Sequence, residues 1–201
     1  MNKVKILAIA VTGIQLLCAC RENRTSQSDS SPAPGANLRA KIFAANYPLQ
    51  YFAQRIGKAN VEVSFPAPKD VDPAFWQPTD EQISAIQNAD LIILNGATFS
   101  KWAEKVSLPE AKIVDTAQQF KDRFIVIKNA VTHSHGKQGM HSHDGISFTT
   151  WIDFQQAIQQ ASAINDAFKK LRPQQANQFD QNFAALKRDL EELDSRMSTV
   201  G

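Results

Sequence analysis

From residue 38 onward, apolar residues recur in two rhythms that alternate along the chain. A short apolar run at 40–44 predicts a strand. Leu49, Phe52, Ala53 and Ile56 then fall at i, i+3, i+4 and i+7, the stripe of a helix lying against a sheet. Residues 61–65 alternate as a second strand. Thr79 and Gln82 have the spacing of a capping box ahead of Ile83 and Ile86, so a helix starts there. The uninterrupted run Leu91, Ile92, Ile93, Leu94 is what a strand covered on both faces of a parallel sheet requires. Phe99, Trp102, Ala103 and Val106 form a further helical stripe, Ile113 and Val114 a short strand, and 124–127 another strand. Strand and helix alternate, which predicts a three-layer α/β domain with a central, mostly parallel sheet.

The rhythm changes after residue 150. Phe154, Ala157, Ile158, Ala161, Ile164, Phe168 and Leu171 share one helical face, and Pro173 then breaks the chain. Beyond it Ala176, Phe179, Phe183, Leu186, Leu190, Leu193 and Met197 follow a 3, 4 spacing, a heptad seam. At 1.5 Å per residue this seam is about 32 Å long, more than one side of a small lobe covers. The expectation is a long helix whose last turns pair with a second protomer or a further lobe, or fray beyond Leu186. The alternative is a simple antiparallel hairpin with the helix before Pro173.

The first 37 residues follow neither rhythm. Lys3 and Lys5 precede an apolar run from Ile6 to Leu17, too short for a permanent membrane span and matched to a secretory leader. Leu17-Cys18-Ala19-Cys20 then resembles the bacterial lipobox, which implies cleavage after Ala19 and a lipid on Cys20. Residues 21–37 are Ser, Pro, Gly and Asn with scattered charges, a composition that cannot bury enough surface to fold and suits a tether. The expected organisation is therefore a leader at 1–19, a lipidated tether at 20–37, an α/β lobe at 38–150 and C-terminal helices at 151–201, in the periplasm or at the cell surface, anchored to the membrane through Cys20. Loss of the leader and acylation of Cys20 would leave no free thiol, so an ordinary core must supply stability. The leader holds two of the 22 basic residues and none of the 20 acidic ones. The mature chain is thus neutral, with no electrostatic footprint for nucleic acid.

All four histidines fall in one segment, His133-Ser134-His135 and His141-Ser142-His143, followed by Asp144. In extended backbone, residues i and i+2 project to one side, so each pair can offer two imidazoles to one ion. Gly136, Gly139 and Gly145 would let the chain fold back and bring the pairs together. Four neutral imidazoles suit Zn²⁺, tolerate Cu²⁺ or Ni²⁺ and suit Mn²⁺ poorly, with Asp144 as an oxygen ligand or an outer partner. The plainer reading is a polar loop that binds metal opportunistically. The candidate metal residues are therefore His133, His135, His141, His143 and Asp144, and the cofactor is a zinc ion or another divalent transition metal, with no organic cofactor.

Several segments, in this order, resemble the zinc- and manganese-type solute-binding proteins of ABC importers. Ala45-Asn46-Tyr47-Pro48 is similar to that family's first strand-to-helix turn, and 71–79, reading V-D-P-A-F-W-Q-P-T, is similar to its V-D-P-H-x-[YW]-E-P-T loop. Ala89-Asp90-Leu91-Ile92-Ile93-Leu94-Asn95-Gly96, Trp102 and Trp151-Ile152-Asp153 fit the segments that follow, and the helix after Pro173 looks like the helix that joins two lobes. The resemblance implies an exported metal-binding protein, an ABC permease as partner and a histidine-rich loop as an auxiliary collector of zinc. At the position of the family's first ligand histidine, however, stands Ala74, and at that of the second Thr149. The resemblance places the remaining ligands in a second lobe that is not expected within these residues, so the expectation is that the family's interlobe site does not form here in its usual way.

An enzyme is not expected. Thr132-His133-Ser134-His135 resembles the start of the H-x-H-x-D-H motif of metallo-β-lactamase-type hydrolases, but Gly136-Lys137 follows where Asp-His is needed. There is no H-E-x-x-H and no serine in a nucleophile elbow. The alternative to metal delivery is a metal-buffering or non-transport interaction lipoprotein that keeps the lobe as a scaffold and docks or self-associates through the heptad helix.

Overall fold

A computed structural model describes residues 39–127, 133–134, 140–141 and 145–199. The leader, Cys20 and the tether lie outside the described residues. The described residues fall within one compact unit.

Four strands form the central sheet: β1 (Ala40–Ala44), β2 (Val61–Ser64), β3 (Leu91–Leu94) and β4 (Ile113–Asp115). They lie in the order β2-β1-β3-β4, and every pair is parallel. Between β1 and β2 runs α1 (Tyr47–Gly57), and between β2 and β3 runs α2 (Asp80–Gln87). Asn46 starts α1 by accepting the Leu49 N–H at 3.0 Å. The capping box expected at Thr79 and Gln82 is present in both directions. Gly57 ends α1 where a Cβ would meet Val61 at 2.3 Å, so helix and strand can turn this closely only around glycine.

Side chains alternate across the sheet and divide its core in two. Ile42, Leu91 and Ile93 face α1 and two C-terminal helices, α3 (Phe154–Leu171) and α4 (Ala176–Ser198). Phe43 and Ile92 face the other way, onto Trp76, Trp102 and Ile86. This is the three-layer arrangement that the alternation of strand and helix predicted.

Three expectations need correction. The stripe from Phe99 to Val106 is not an α-helix; only Lys101–Glu104 forms a 3₁₀ turn. Leu108 precedes Pro109 and so resists helical backbone, and the apolar spacing serves instead to bury Trp102. The strand expected at 124–127 shrinks to β5 (Val126–Ile127), which leaves the central sheet and pairs antiparallel with β8 (Gly145–Ile146). Phe124 packs edge-on against Phe120, while Ile125 and Val126 are 67% and 60% exposed, so this apolar run marks no buried strand.

The third correction concerns the heptad helix. It neither frays at Leu186 nor projects for most of its length. α4 folds back along α3 and α1, burying Phe179, Leu186 and Leu190, with Phe179 against Phe168 at 5.5 Å between ring centroids. Asn182 donates to the Ile56 carbonyl at 2.8 Å, and Arg55 pairs with Asp189 at 2.5 Å. Only the last turns escape: Leu193 is 42% and Met197 65% exposed. The lobe is wide enough to bury Phe179, Leu186 and Leu190 of the seam because α1 and α3 present their own apolar stripes side by side.

Candidate functional site

In a parallel sheet, ligands collect beyond the carboxyl ends of the strands, where loops diverge. Here each of three strands is followed there by a buried polar residue: Asn46 after β1, Asn95 after β3 and Thr116 after β4. Gln160 joins them from the apolar face of α3 and is fully buried. Asn46 Nδ2 donates to Asn95 Oδ1 at 3.0 Å, and Gln160 Nε2 donates to Asn95 Oδ1 at 3.2 Å and to Thr116 Oγ1 at 3.0 Å. Asn95 Nδ2 donates to the Phe148 carbonyl at 3.0 Å, which ties the segment after the histidines to the sheet. Each such group left unpaired would cost about 1–3 kcal/mol, so the cluster holds the three loops in one register.

Directly after Asn95, Gly96, Ala97 and Thr98 all have positive φ, at 74°, 49° and 61°. A Cβ at Gly96 would lie 2.1 Å from an Asp115 oxygen, which fixes glycine there. Ala97 and Thr98 have no such freedom and carry of order 1–2 kcal/mol each of left-handed strain. The turn directs Phe99 into an aromatic cluster with Phe148 and Trp151, at 5.4 and 5.7 Å.

The positions matched to metal ligands are both found at this edge. Ala74 is buried, in a turn where Asp72 Oδ1 accepts the Ala74 N–H at 2.9 Å. Two residues on, Trp76 packs edge-on against Trp102 at 6.0 Å, so this aromatic residue belongs to the second core. Thr149 precedes a 3₁₀ turn, Thr150–Ile152, and lines a pocket of about 270 Å³. Among the described residues no three of His, Cys, Asp and Glu come together as a metal would require.

The histidine segment leaves the lobe between Arg123 and Ser147. Val126 pairs with Ile146 and Ile127 with Gly145, and Ser147 N donates to the Ile125 carbonyl at 2.8 Å. Farther out, β6 (His133–Ser134) and β7 (Met140–His141) pair antiparallel, with His133 opposite His141. One backbone position from each His-Ser-His pair therefore stands across a ladder from the other, at the ~4.5–5.5 Å Cα separation of such partners. His135, His143 and Asp144 lie outside the described residues.

Shifted titrations lie elsewhere, on the helical layer. The Asp180 carboxyl is held below its ordinary range first by the Asn165 amide and then by Lys169, whose ammonium is raised in turn by Asp180 and Asp166. Arg55 is raised chiefly by its bond to Asp189. The buried polar cluster was not anticipated from sequence. Its signal was a polar residue directly after each apolar strand and a glutamine inside the apolar face of α3.

A parallel α/β lobe with its loops pinned at the carboxyl edge and a closing pair of long helices is the architecture of a solute-binding protein. The family model described as zinc-uptake complex component A, periplasmic (ZnuA), matches residues 42–200, and the chain belongs to that family. The family is one of solute-binding proteins, not of enzymes. The chain is 24% identical over 200 residues to the zinc-binding lipoprotein AdcA of Streptococcus pneumoniae, covering 96% of itself and 37% of AdcA. It is also 24% identical over 201 residues to the manganese ABC transporter substrate-binding lipoprotein PsaA of the same species, covering 96% of itself and 60% of PsaA. The crystal structure of the metal-dependent lipoprotein YcdH from Bacillus subtilis superposes with a TM-score of 0.64 at 19% identity, over 80% of this chain and 55% of that one, and shares its fold. The chain thus spans between about a third and three-fifths of these relatives' lengths.

Proposed function

We propose that this chain captures a divalent transition metal, zinc before others, outside the cytoplasm and beside an ABC-type metal permease. His133, His135, His141 and His143 are the ligands, with Asp144 as an oxygen donor or outer partner. Lipid on Cys20, carried by a tether at 20–37 after loss of the leader at 1–19, anchors the lobe at 38–150 and its C-terminal helices at 151–201 to the membrane. One observation supports this reading: in a chain of a metal-type solute-binding family, His133 and His141 stand opposite each other across an antiparallel ladder, while the segments that resemble the family's ligand loops carry Ala74 and Thr149. An imidazole set also explains a preference for Zn²⁺ over Mn²⁺, which favours oxygen donors.

Calorimetry on the full chain tests it. One Zn²⁺ should bind per chain, Mn²⁺ weakly, and affinity should fall as pH drops through the imidazole range near 6.5, because protons compete for the same nitrogens. Replacing His133 and His135 together by Ala should weaken zinc binding strongly. Unchanged affinity in that variant removes the histidines from the site. For the anchor, Cys20→Ser should abolish incorporation of a fatty-acid analogue.

A second reading is supported by the same two positions. Without a histidine at 74 or 149, the lobe serves as a metal buffer or an interaction scaffold that does not itself transport, and the exposed Leu193 and Met197 offer a contact for self-association or a partner. Zinc uptake in cells carrying only the histidine-free variant separates the two readings.

A further inference from the structure

The turn after β3 is costly as it stands. Gly96, Ala97 and Thr98 are left-handed in succession, and Thr98, at a φ of 61°, is β-branched, the kind of side chain this region tolerates least. Phe99 N donates to the Gly96 carbonyl at 3.1 Å and closes the turn. The next residue, Ser100, has its hydroxyl buried with no hydrogen-bond partner among the described residues. The same holds for Thr150, which precedes Trp151. Strain and unpaired polar atoms of this kind persist only where their surroundings over-determine them.

What holds the turn is the segment that follows the histidines. Phe99 is 3% exposed and meets Phe148 edge-on at 5.4 Å and Trp151 at 5.7 Å. Just before the turn, Asn95 Nδ2 donates to the Phe148 carbonyl at 3.0 Å. Phe148 in turn stands two positions after β8, whose Ile146 and Gly145 pair with Val126 and Ile127 of β5, and Ser147 N donates to the Ile125 carbonyl at 2.8 Å. The strained turn is thus fastened at Phe148, and Phe148 is placed by the ladder from which the histidine segment leaves.

We infer that the turn at 96–100 and the segment at 147–151 form one two-state clasp, and that metal on the histidines stabilises its fastened, left-handed state. The inference rests on metal capture by the histidine segment. A ligand shifts a two-state element only by its different affinity for the two states, and the difference here comes from strand register. One ion shared by both histidine pairs holds β6 against β7, with His133 opposite His141. Strands held together there keep β5 and β8 in register at their root, and Phe148 stays against Phe99. In the released state Thr98 leaves the left-handed region, its strain is relieved and Phe99 parts from its ring partners. Histidine occupancy is thereby read at the carboxyl edge of the sheet, where ligands of such folds collect.

The test is ¹⁵N relaxation dispersion on the full chain, which detects a minor state that exchanges in microseconds to milliseconds. Without metal, the amides of 96–100 and 147–151 should share one exchange rate and one minor population, while those of α2 show neither. Saturating Zn²⁺ should lower that population at least fivefold, and replacing His133 and His135 together by Ala should abolish this effect. Thr98→Gly removes strain and no buried contact, and should lower the population several-fold without zinc. Phe99→Leu should raise it several-fold, with thermal unfolding recorded to confirm that the variant is folded. Different rates in the two segments, or no exchange in either, overturn the clasp whatever zinc does. Zinc bound in calorimetry with the minor population unchanged overturns the coupling and leaves metal capture standing. Absence of zinc binding removes the metal reading and the coupling together.

Discussion

The two faces of the central sheet are covered by different means. On one, three amphipathic helices meet the sheet with aliphatic stripes, and Phe168 and Phe179 close the seam between α3 and α4. On the other, one short helix and several turns suffice because Phe43, Trp76 and Trp102 form an edge-to-face chain at 5.9 and 6.0 Å. Periodic helices build a face whose energy is spread over many contacts. Large aromatic residues on irregular backbone build one whose energy is concentrated and whose loops are free to vary.

That contrast is sharpest at Phe168. It is fully buried and touches both its partner helix and the underside of α1 near Gly57. Phe168→Ala should cost about 3–5 kcal/mol, the range for a large aromatic lost from a rigid core. Chemical denaturation reads this directly as a lower midpoint. A cost below about 1.5 kcal/mol would mean that the helical layer is loosely seated.

The border between the faces is the next place to break. Asn95 is buried and accepts from Asn46 and Gln160 while donating to Phe148, so Asn95→Ala orphans the buried Asn46 amide, removes one of the acceptors of Gln160 and frees the Phe148 carbonyl. A loss of about 2–4 kcal/mol is expected from unpaired groups of this kind. Because Phe148 is released too, amide exchange at 147–152 should speed up more than exchange in β1. Uniform acceleration would show that the cluster stabilises the sheet without fixing the loop.

How far these regions can be read from sequence follows the same division. The helical face was legible because its residues obey one period: Leu49, Phe52 and Ile56 for α1, and Ala157, Ile164 and Phe168 for α3; on the other face only the start of α2 was, through Thr79 and Gln82. The fold-back of α4 is only one of the arrangements its seam allows, since a seam's period says which side of a helix is apolar and not what lies against it. On the other face, Phe99 and Trp102 have helical spacing yet sit on a left-handed turn and a 3₁₀ turn, because Gly96, Asp115 and Pro109 set the backbone locally. The histidines were plain from composition and the glycines among them led to the expectation of a fold-back, while the register that sets His133 opposite His141 was not legible. Thr150 was invisible, as a lone buried hydroxyl has no sequence signature.

A smaller effect separates the hairpin's polar rim from its core. Asp180 has its carboxyl lowered from an ordinary value of 3.8 by the Asn165 amide and by Lys169. A lowered value contributes stability that is present above the ordinary value and is lost as pH falls through the lowered one. Between those limits the wild-type chain should lose stability more steeply with acid than Asp180→Asn, measured as urea midpoints from pH 5 down to pH 2. The group is solvent-exposed, so the difference should be slight beside the effect of Phe168→Ala. Identical slopes would remove Asp180 from the hairpin's pH response.

The smallest effect on folding belongs to the end of α4, where the intramolecular seam runs out. Leu186 and Leu190 are buried against α1 and α3, but Leu193 and Met197, the next two positions of the same seam, are 42% and 65% exposed. Asp194, between them, accepts from Gln155 at 2.6 Å, so this part of the helix remains attached to the start of α3 by a polar contact. Replacing Leu193 and Met197 together by Ser removes apolar surface that the folded monomer covers only in part. The expected change in unfolding free energy is within about 0.5 kcal/mol, as for surface substitutions generally. If the exposed pair is a contact between copies of the chain, the wild type should show concentration-dependent sedimentation and the double variant should not. A loss above about 2 kcal/mol in dilute solution would mean that these two side chains are buried in the monomer after all, and that the seam continues to the helix end.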